Sequence, residues 1–203
     1  MSKFASYLYD IIMGPFERKQ LRQIRSDLLS KAVGNVLEIG SGTGVNFPYY
    51  KGVTVTALKP DDSARKRSFA KAKKSQATIK LINGDAQRLE FEDNTFDTVV
   101  GTLVFCTIPN PRQAIKELQR VCKPGGLILL FEHIRLDKGA VAKGQDLLNP
   151  IWKKISGGCN LNRDTVHLLQ EEGIKITHVN KYLNGVFISI EAVNTMHEKP
   201  KAI

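Results

Sequence analysis

Short apolar runs recur through the middle of the chain, separated by polar stretches with helical spacing. Residues 36–39, 53–58, 79–83, 98–104 and 127–131 are rich in Val, Ile and Leu and show little polar alternation, the pattern of strands covered on both faces. Residues 61–74 and 111–122 have the length and spacing of helices. Asn110 is placed to cap the second of these, with Pro111 at its first position, where a missing N–H costs nothing. Such alternation predicts parallel strands joined by right-handed crossovers.

The two ends differ from this middle. Residues 2–30 read as helix: Phe4, Tyr7, Leu8, Ile11 and Ile12 follow the helical period, and Leu21, Ile24 and Leu28 resume it after a break at Gly14-Pro15. Beyond a polar stretch over 138–145, a helical region is expected to about residue 172. Two strands, 174–180 and 186–193, follow with only 181–185 between them, too short a link for a crossover, so they pair antiparallel. The fold class is α/β: a seven-stranded, mostly parallel sheet with a C-terminal antiparallel hairpin and helices on both faces. No repeat or linker marks a second domain; the chain divides only into an N-terminal helical segment, 1–30, and a domain over 31–203.

Composition narrows this further. A chain of 203 residues, 42% hydrophobic and 25% charged, suits one globular domain. No run of about 18 apolar residues is present to span a membrane. Residues 1–10 carry charge and tyrosines where a signal peptide would be apolar. The cysteines, Cys106, Cys122 and Cys159, are odd in number and lack CxxC spacing, which argues against disulfides and structural zinc and for a reducing, cytoplasmic setting. The net charge of +10 is concentrated near Lys59, Arg65, Lys66, Arg67, Lys71, Lys73 and Lys74, which read as a solvated helix face.

The densest chemistry is Val36-Leu37-Glu38-Ile39-Gly40-Ser41-Gly42-Thr43-Gly44, a buried strand running into three glycines spaced by two. Glycine lets a backbone turn sharply and approach a ligand with no Cβ in the way. Val45 stands where a GxGxxG fingerprint would place its last glycine, so the loop does not match a pyrophosphate-binding turn. Glu38 suits a ligand with a cationic end. After the third strand, Asp85 in Asn83-Gly84-Asp85-Ala86 can accept from an adenine amino group, with the Ala86 N–H beside it. Arg120-Val121-Cys122-Lys123-Pro124-Gly125-Gly126 reads as a helix end and turn.

Glu38–Gly44 as ExGxGxG, Gly-Asp-Ala at 84–86 and Lys-Pro-Gly-Gly at 123–126 resemble, in type, order and spacing, the class I methyltransferases over nearly the whole chain. The resemblance implies a Rossmann-like domain binding S-adenosyl-L-methionine through Glu38, Gly40, Ser41, Gly42, Gly44, Lys59, Pro60, Asp85, Ala86 and Thr102. One position departs: Lys59 stands where the family has an acid on the ribose hydroxyls, and a lysine cannot accept those bonds. Asp61 or Asp62 can substitute; a non-catalytic cofactor-binding protein is the alternative.

Thr102-Leu103-Val104-Phe105-Cys106, Glu132-His133, Asn149-Pro150-Ile151-Trp152 and Gly158-Cys159-Asn160-Leu161 resemble the thiol S-methyltransferase branch, grouped with phospholipid N-methyltransferases and quinone-pathway C-methyltransferases. The acceptor implied is a small thiol or lipid-like molecule. His133, with a pKa near neutral, is the candidate catalytic base. Cys106 and Cys159 read as packing residues, and Trp152 as pocket wall or core. Nucleic acid is disfavoured, because no Asn/Asp-Pro-Pro-aromatic motif follows the fourth strand. The N-terminal helix is expected to be a lid over the crevice; the alternative is a peripheral anchor whose apolar face enters an anionic membrane.

Overall fold

In chain order the elements are α1 (Arg22–Leu29), β1 (Asn35–Ile39), β2 (Thr54–Lys59), α2 (Arg65–Ala72), β3 (Thr78–Asn83), β4 (Phe96–Thr102), α3 (Pro111–Val121), β5 (Cys122–His133), α4 (Gly139–Ile155), α5 (Thr165–Glu171), β6 (Lys175–Tyr182) and β7 (Phe187–Val193). They belong to a computed structural model that describes residues 21–59, 65–136 and 139–195. The apolar face over Phe4 to Ile12, the Gly14-Pro15 break, Pro60, Asp61 and Asp62 lie outside the described residues.

One seven-stranded sheet runs β3-β2-β1-β4-β5-β7-β6. Every neighbouring pair is parallel except those made by β7, which is antiparallel to both β5 and β6. The chain winds outward from β1 through β2 to β3, then returns to place β4 on the other side of β1. That reversal opens a crevice at the carboxyl ends of the strands, where open α/β sheets take their ligands.

Period-two alternation splits the strand residues between two cores. Leu37, Ile39, Val99, Ile128 and Leu130 pack with Ala114, Ile115, Leu118 and Val121 of α3 and Leu169 of α5. Val36, Val100, Leu129 and Phe131 pack on the other face with Ile24, Leu28 and Leu29 of α1, and with Phe47 and Tyr50. Both faces are apolar, which is why the strands read as unbroken hydrophobic runs. The described end of the expected lid segment, α1, is thus built into the core flanking the sheet.

Several boundaries moved for local reasons. β4 stops at Thr102 rather than at 104 because Leu103 turns the chain with φ +50°. The polar stretch over 138–145 is already helical from Gly139, and the expected helical region breaks over 156–164 before Asp164 caps α5 by accepting from the His167 N–H at 3.0 Å. Asn110 caps α3 as expected, accepting from the Gln113 N–H at 3.2 Å. Lys123–Gly126, expected as a turn, is an irregularity inside β5, whose pairing jumps from Phe96↔Cys122 to Thr98↔Leu127.

Asn194 holds that irregularity in place. Its N–H donates to the Gly126 carbonyl (2.9 Å), and its own carbonyl accepts from the Gly125 N–H (2.8 Å). Its buried Nδ2 donates to the carbonyls of Gln119 (2.8 Å) and Cys122 (2.7 Å). Removing the amide leaves buried carbonyls without a donor, at about 1–3 kcal/mol. Asn194→Ala is therefore expected to lower stability by about 2 kcal/mol in denaturant titration. A loss under about 0.5 kcal/mol, within the range of an ordinary surface change, would show that the irregularity supports itself.

Candidate active site

Five strand ends bring the sequence-predicted residues to one edge of the sheet. Gly40–Gly44 follows β1, Lys59 ends β2, Asp85 and Ala86 follow β3, Thr102 ends β4 and His133 ends β5. The Ser41 N–H donates to the Leu58 carbonyl (3.1 Å) and the Gly44 N–H to the Ser41 carbonyl (2.8 Å), which folds the loop back over β2. Gly40, Gly42 and Gly44 all have positive φ, of +63°, +51° and +70°.

The three glycines serve different needs. A Cβ on Gly40 would stand 2.2 Å from Val104 Cγ2, and one on Gly44 would stand 2.5 Å from the Phe47 ring. Both are packing glycines: Val104 fills the space on the Cβ side of Gly40, and the Phe47 ring that on the Cβ side of Gly44. Beside Gly42 a Cβ would meet only the Gly40 carbonyl, at 3.8 Å. Gly42 is the one that faces open space.

Beneath the loop lies a buried polar network that the sequence only half disclosed. Glu38, 1% exposed, accepts at Oε1 from Asn46 Nδ2 (2.9 Å). Arg25 Nη1 donates to Asn46 Oδ1 (2.9 Å) and to Thr102 Oγ1 (2.9 Å), and Asn46 Nδ2 also reaches Thr102 Oγ1 (2.9 Å). The Arg25 guanidinium stands 5.4 Å from the centre of the Phe131 ring. Burial pushes the Glu38 carboxyl up to about 7, against the opposing pull of Asn46, Tyr50 and Arg25. Ser41 Oγ is buried without a partner, while Glu38 Oε2 and Tyr50 Oη fall short of hydrogen-bonding geometry although Tyr50 lies close enough to Glu38 to oppose the rise of its pKa. Native proteins seldom leave such atoms orphaned, which makes this a candidate place for polar groups of a ligand.

Asp85 is exposed, its carboxylate engaged by the Gln87 N–H (2.9 Å) and Gln87 Nε2 (3.0 and 2.9 Å). Gln87 Oε1 accepts in turn from the Asn110 N–H (2.9 Å), tying this turn to the start of α3. Ala86 is buried in the α3-side core.

At the other end of the crevice, the turn after β4 is fixed by Glu132. Its Oε1 accepts from the Val104 and Phe105 N–H groups (3.0 and 3.1 Å), while Oε2 is buried without a partner. Burial raises the Glu132 carboxyl to about 7 despite those two donors. This turn carries Cys106, and the loop after α4 brings Cys159 against it: the Asn160 N–H and Nδ2 both donate to the Cys106 carbonyl, at 2.8 Å each. His133 Nε2 stands 3.2 Å from Cys159 Sγ. The hydrogen bond from Cys106, then the approach of His133, hold the Cys159 thiol well below its ordinary value, at about 4, and Cys106 is pushed up correspondingly. Burial works to lower the His133 pKa, but Cys159 and Glu132 outweigh it and the net direction is up.

Cys159 is therefore not the packing residue expected, since its sulfur is the partner of His133. Cys106, 3% exposed, is packed and also belongs to the cluster. Glu132 carried a faint signal, a charged residue ending an apolar strand. Asn160 was marked only as part of the 158–161 segment, and Arg25 and Asn46 carried no signal.

A glycine loop over a buried carboxylate, at the switch point of a β3-β2-β1-β4-β5-β7-β6 sheet, defines a Rossmann-like nucleotide-cofactor domain. Residues 37–130 match the family described as Methyltransferase domain. A phosphatidylethanolamine N-methyltransferase of Cereibacter sphaeroides is 32% identical over 66% of this chain and 68% of its own. The chain belongs to the class I S-adenosylmethionine-dependent methyltransferase family, whose cofactor is S-adenosyl-L-methionine. Thiol S-methyltransferases of Rattus norvegicus and Homo sapiens are 38% and 35% identical over 64% and 73% of this chain. The chain spans only 55% and 63% of the length of those two relatives. A methyltransferase structure from Aquifex aeolicus superposes with a TM-score of 0.64 at 17% identity, covering 94% of this chain and 96% of its own. The [4+2]-cyclase SpnF superposes at 0.69 with 15% identity, covering 86% and 80%, so the architecture alone does not specify the reaction.

The glycines yield a paired expectation. Gly40→Ala collides with Val104 and should cost about 2 kcal/mol or more in thermal unfolding. Gly42→Ala meets only left-handed strain, about 1 kcal/mol. Equal losses would overturn the division of labour between them.

Proposed function

We propose that the chain is an active methyltransferase that moves the methyl group of S-adenosylmethionine to a small thiol. The observation that carries this reading is the pairing of His133 with Cys159 at the same sheet edge as the glycine loop; the likeness to thiol S-methyltransferases supports it. When bound, S-adenosylmethionine supplies a methyl group on a good leaving group, so little is asked of the protein beyond alignment and acceptor activation. Gly42 gives the backbone room for the cofactor, with Ser41 and Gly44 shaping the loop. Glu38 Oε2 receives its ammonium group. Asp85 and Ala86 hold the adenine, and Lys59 and Pro60 flank the ribose. Thr102, clamped by Arg25 and Asn46, sets the floor between cofactor and acceptor. His133 is the group that activates the thiol.

A lipid-like acceptor is the second reading, and one observation favours it. Val141, Leu147, Leu148, Ile151 and Ile155 form an exposed apolar stripe on α4, which leads directly into the Cys159 loop, and Lys153 and Lys154 close the helix. Exposed apolar patches of this kind mark interaction surfaces. Among the described residues no helix is long and apolar enough to cross a membrane, so contact with lipid in this reading is peripheral. We place the protein in the cytoplasm or at its membrane face, and keep the lid over the 31–203 domain only for the part of residues 1–30 that precedes α1.

A methyl-transfer assay against small thiols, phosphatidylethanolamine and quinone precursors decides the acceptor. Turnover of thiols is expected. Turnover of phosphatidylethanolamine alone would install the second reading, and cofactor binding without turnover of any acceptor would leave the non-catalytic protein that Lys59 suggests.

Glu38 gives a pH expectation with a definite sign. Its folded pKa is raised to about 7, so the carboxylate that pairs with an ammonium is filled only as pH climbs through that value. Calorimetry should show S-adenosylmethionine affinity rising about fivefold between pH 6 and pH 7, the ratio of ionised fractions. Glu38→Gln should bind more weakly and lose the slope. A Gln variant with unchanged affinity and slope would remove Glu38 from the cofactor site.

A further inference from the structure

Three side chains able to ligate a metal converge at the acceptor end of the crevice from three separate elements. Cys106 comes from the turn after β4, His133 ends β5, and Cys159 comes from the loop after α4. Their ligand atoms all lie within 4.8 Å of one another, with His133 Nε2 and Cys159 Sγ at 3.2 Å. We propose that Cys106, His133 and Cys159 form a binding site for a thiophilic divalent cation, Zn²⁺.

The geometry suits that ion. Around tetrahedral Zn²⁺, with Zn–S of about 2.3 Å and Zn–N of about 2.0 Å, neighbouring ligands stand about 3.5–3.8 Å apart. The His133–Cys159 separation of 3.2 Å lies just below this range and no pair exceeds 4.8 Å, so the three ligand atoms already stand near coordinating distance. Two sulfurs and an imidazole are the donors Zn²⁺ favours over Mg²⁺ or Ca²⁺, which take oxygen.

The surroundings hold the ligands in register. Two hydrogen bonds from Asn160 tie the Cys159 loop to the Cys106 carbonyl. Glu132 pins the turn carrying Cys106. Asn149 Oδ1 accepts from the Leu161 N–H (2.8 Å), and Gln145 Nε2 bridges the Leu161 and Ile134 carbonyls (3.2 and 3.1 Å), fastening the same loop to the end of β5. A second observation points to a cation: Glu132, 0% exposed, keeps the acceptor Oε2 without a partner.

Three protein ligands leave a fourth tetrahedral position. Cys106 is buried while His133 and Cys159 are half-buried, so solvent approaches from the latter pair. A small thiolate is a ligand such a position accepts, and His133 then acts on the acceptor as a metal ligand. Only this last step rests on the proposed thiol methyltransferase reading; occupancy of the site does not.

The test is metal content and Co²⁺ substitution on the reduced full chain. Mass spectrometry of protein purified without chelators should find about one equivalent of zinc, the ratio a single tetrahedral site takes. Co²⁺ added to the stripped protein should produce a thiolate-to-cobalt charge-transfer band that Zn²⁺ abolishes. Cys106→Ser, Cys159→Ser and His133→Gln should each weaken Co²⁺ binding about 100-fold or more, beyond what loss of an outer-shell partner costs, with far-ultraviolet dichroism unchanged. The absence of the band from reduced wild-type protein would overturn the site. So would a band that survives Cys159→Ser, or a Cys106–Cys159 disulfide in the purified chain that reduction does not convert to a Co²⁺-binding form. S-adenosylmethionine binding is measured separately on the wild type: its failure while Co²⁺ binds would sink the methyltransferase reading and spare the metal site.

Discussion

A carboxylate shut away from water under the glycine loop organises this half of the molecule. Glu38 points from β1 toward α1, and an isolated charge there would be costly. Asn46 meets it, Arg25 meets Asn46, and both close on Thr102 at the end of β4. The network joins the strands on either side of the switch point to the helix over them. It also explains why α1 is packed: Arg25 brings its charge to the network while Ile24, Leu28 and Leu29 fill the core around it.

A second carboxylate repeats the device at the other end of the crevice. Glu132 is as buried as Glu38 and its acidity is suppressed to the same degree, for the same reason. Here its donors are backbone N–H groups, so what it fixes is the path of the turn after β4. That turn presents Val104 to Gly40 on one side and Cys106 to His133 and Cys159 on the other. Cofactor loop and acceptor cluster thus share a wall, and its position rests on one buried oxygen. The fold permits many reactions at this edge; what individualises the chain is the sulfur and imidazole gathered beyond that wall.

Much of this was legible without coordinates. The apolar runs, the cap at Asn110, the antiparallel hairpin and the glycine loop are local: each depends on residues within a few positions, where periodicity and backbone freedom act directly. Placement of the hairpin was not, because β7 reaches its slot between β5 and β6 through contacts on both sides. Lys123–Gly126 misled for a related reason. Pro and Gly read as a turn, yet tertiary hydrogen bonds from Asn194 hold them as an irregularity within a strand.

The candidate site divides in the same way. Sequence by itself determined which strand ends would carry Glu38, Gly42, Asp85, Thr102 and His133, since one ordered run of strands and helices puts every parallel strand's carboxyl end on one edge. Only the tertiary structure decided that Gly40 serves Val104, that Arg25 and Asn46 complete the Glu38 network, and that Cys159 belongs to His133. Cys106, His133 and Cys159 are far apart along the chain and share no spacing rule. They meet because β4 and β5 are neighbours and the loop after α4 folds back on both. Periodicity records how a segment folds, while such meetings depend on which segments pack side by side.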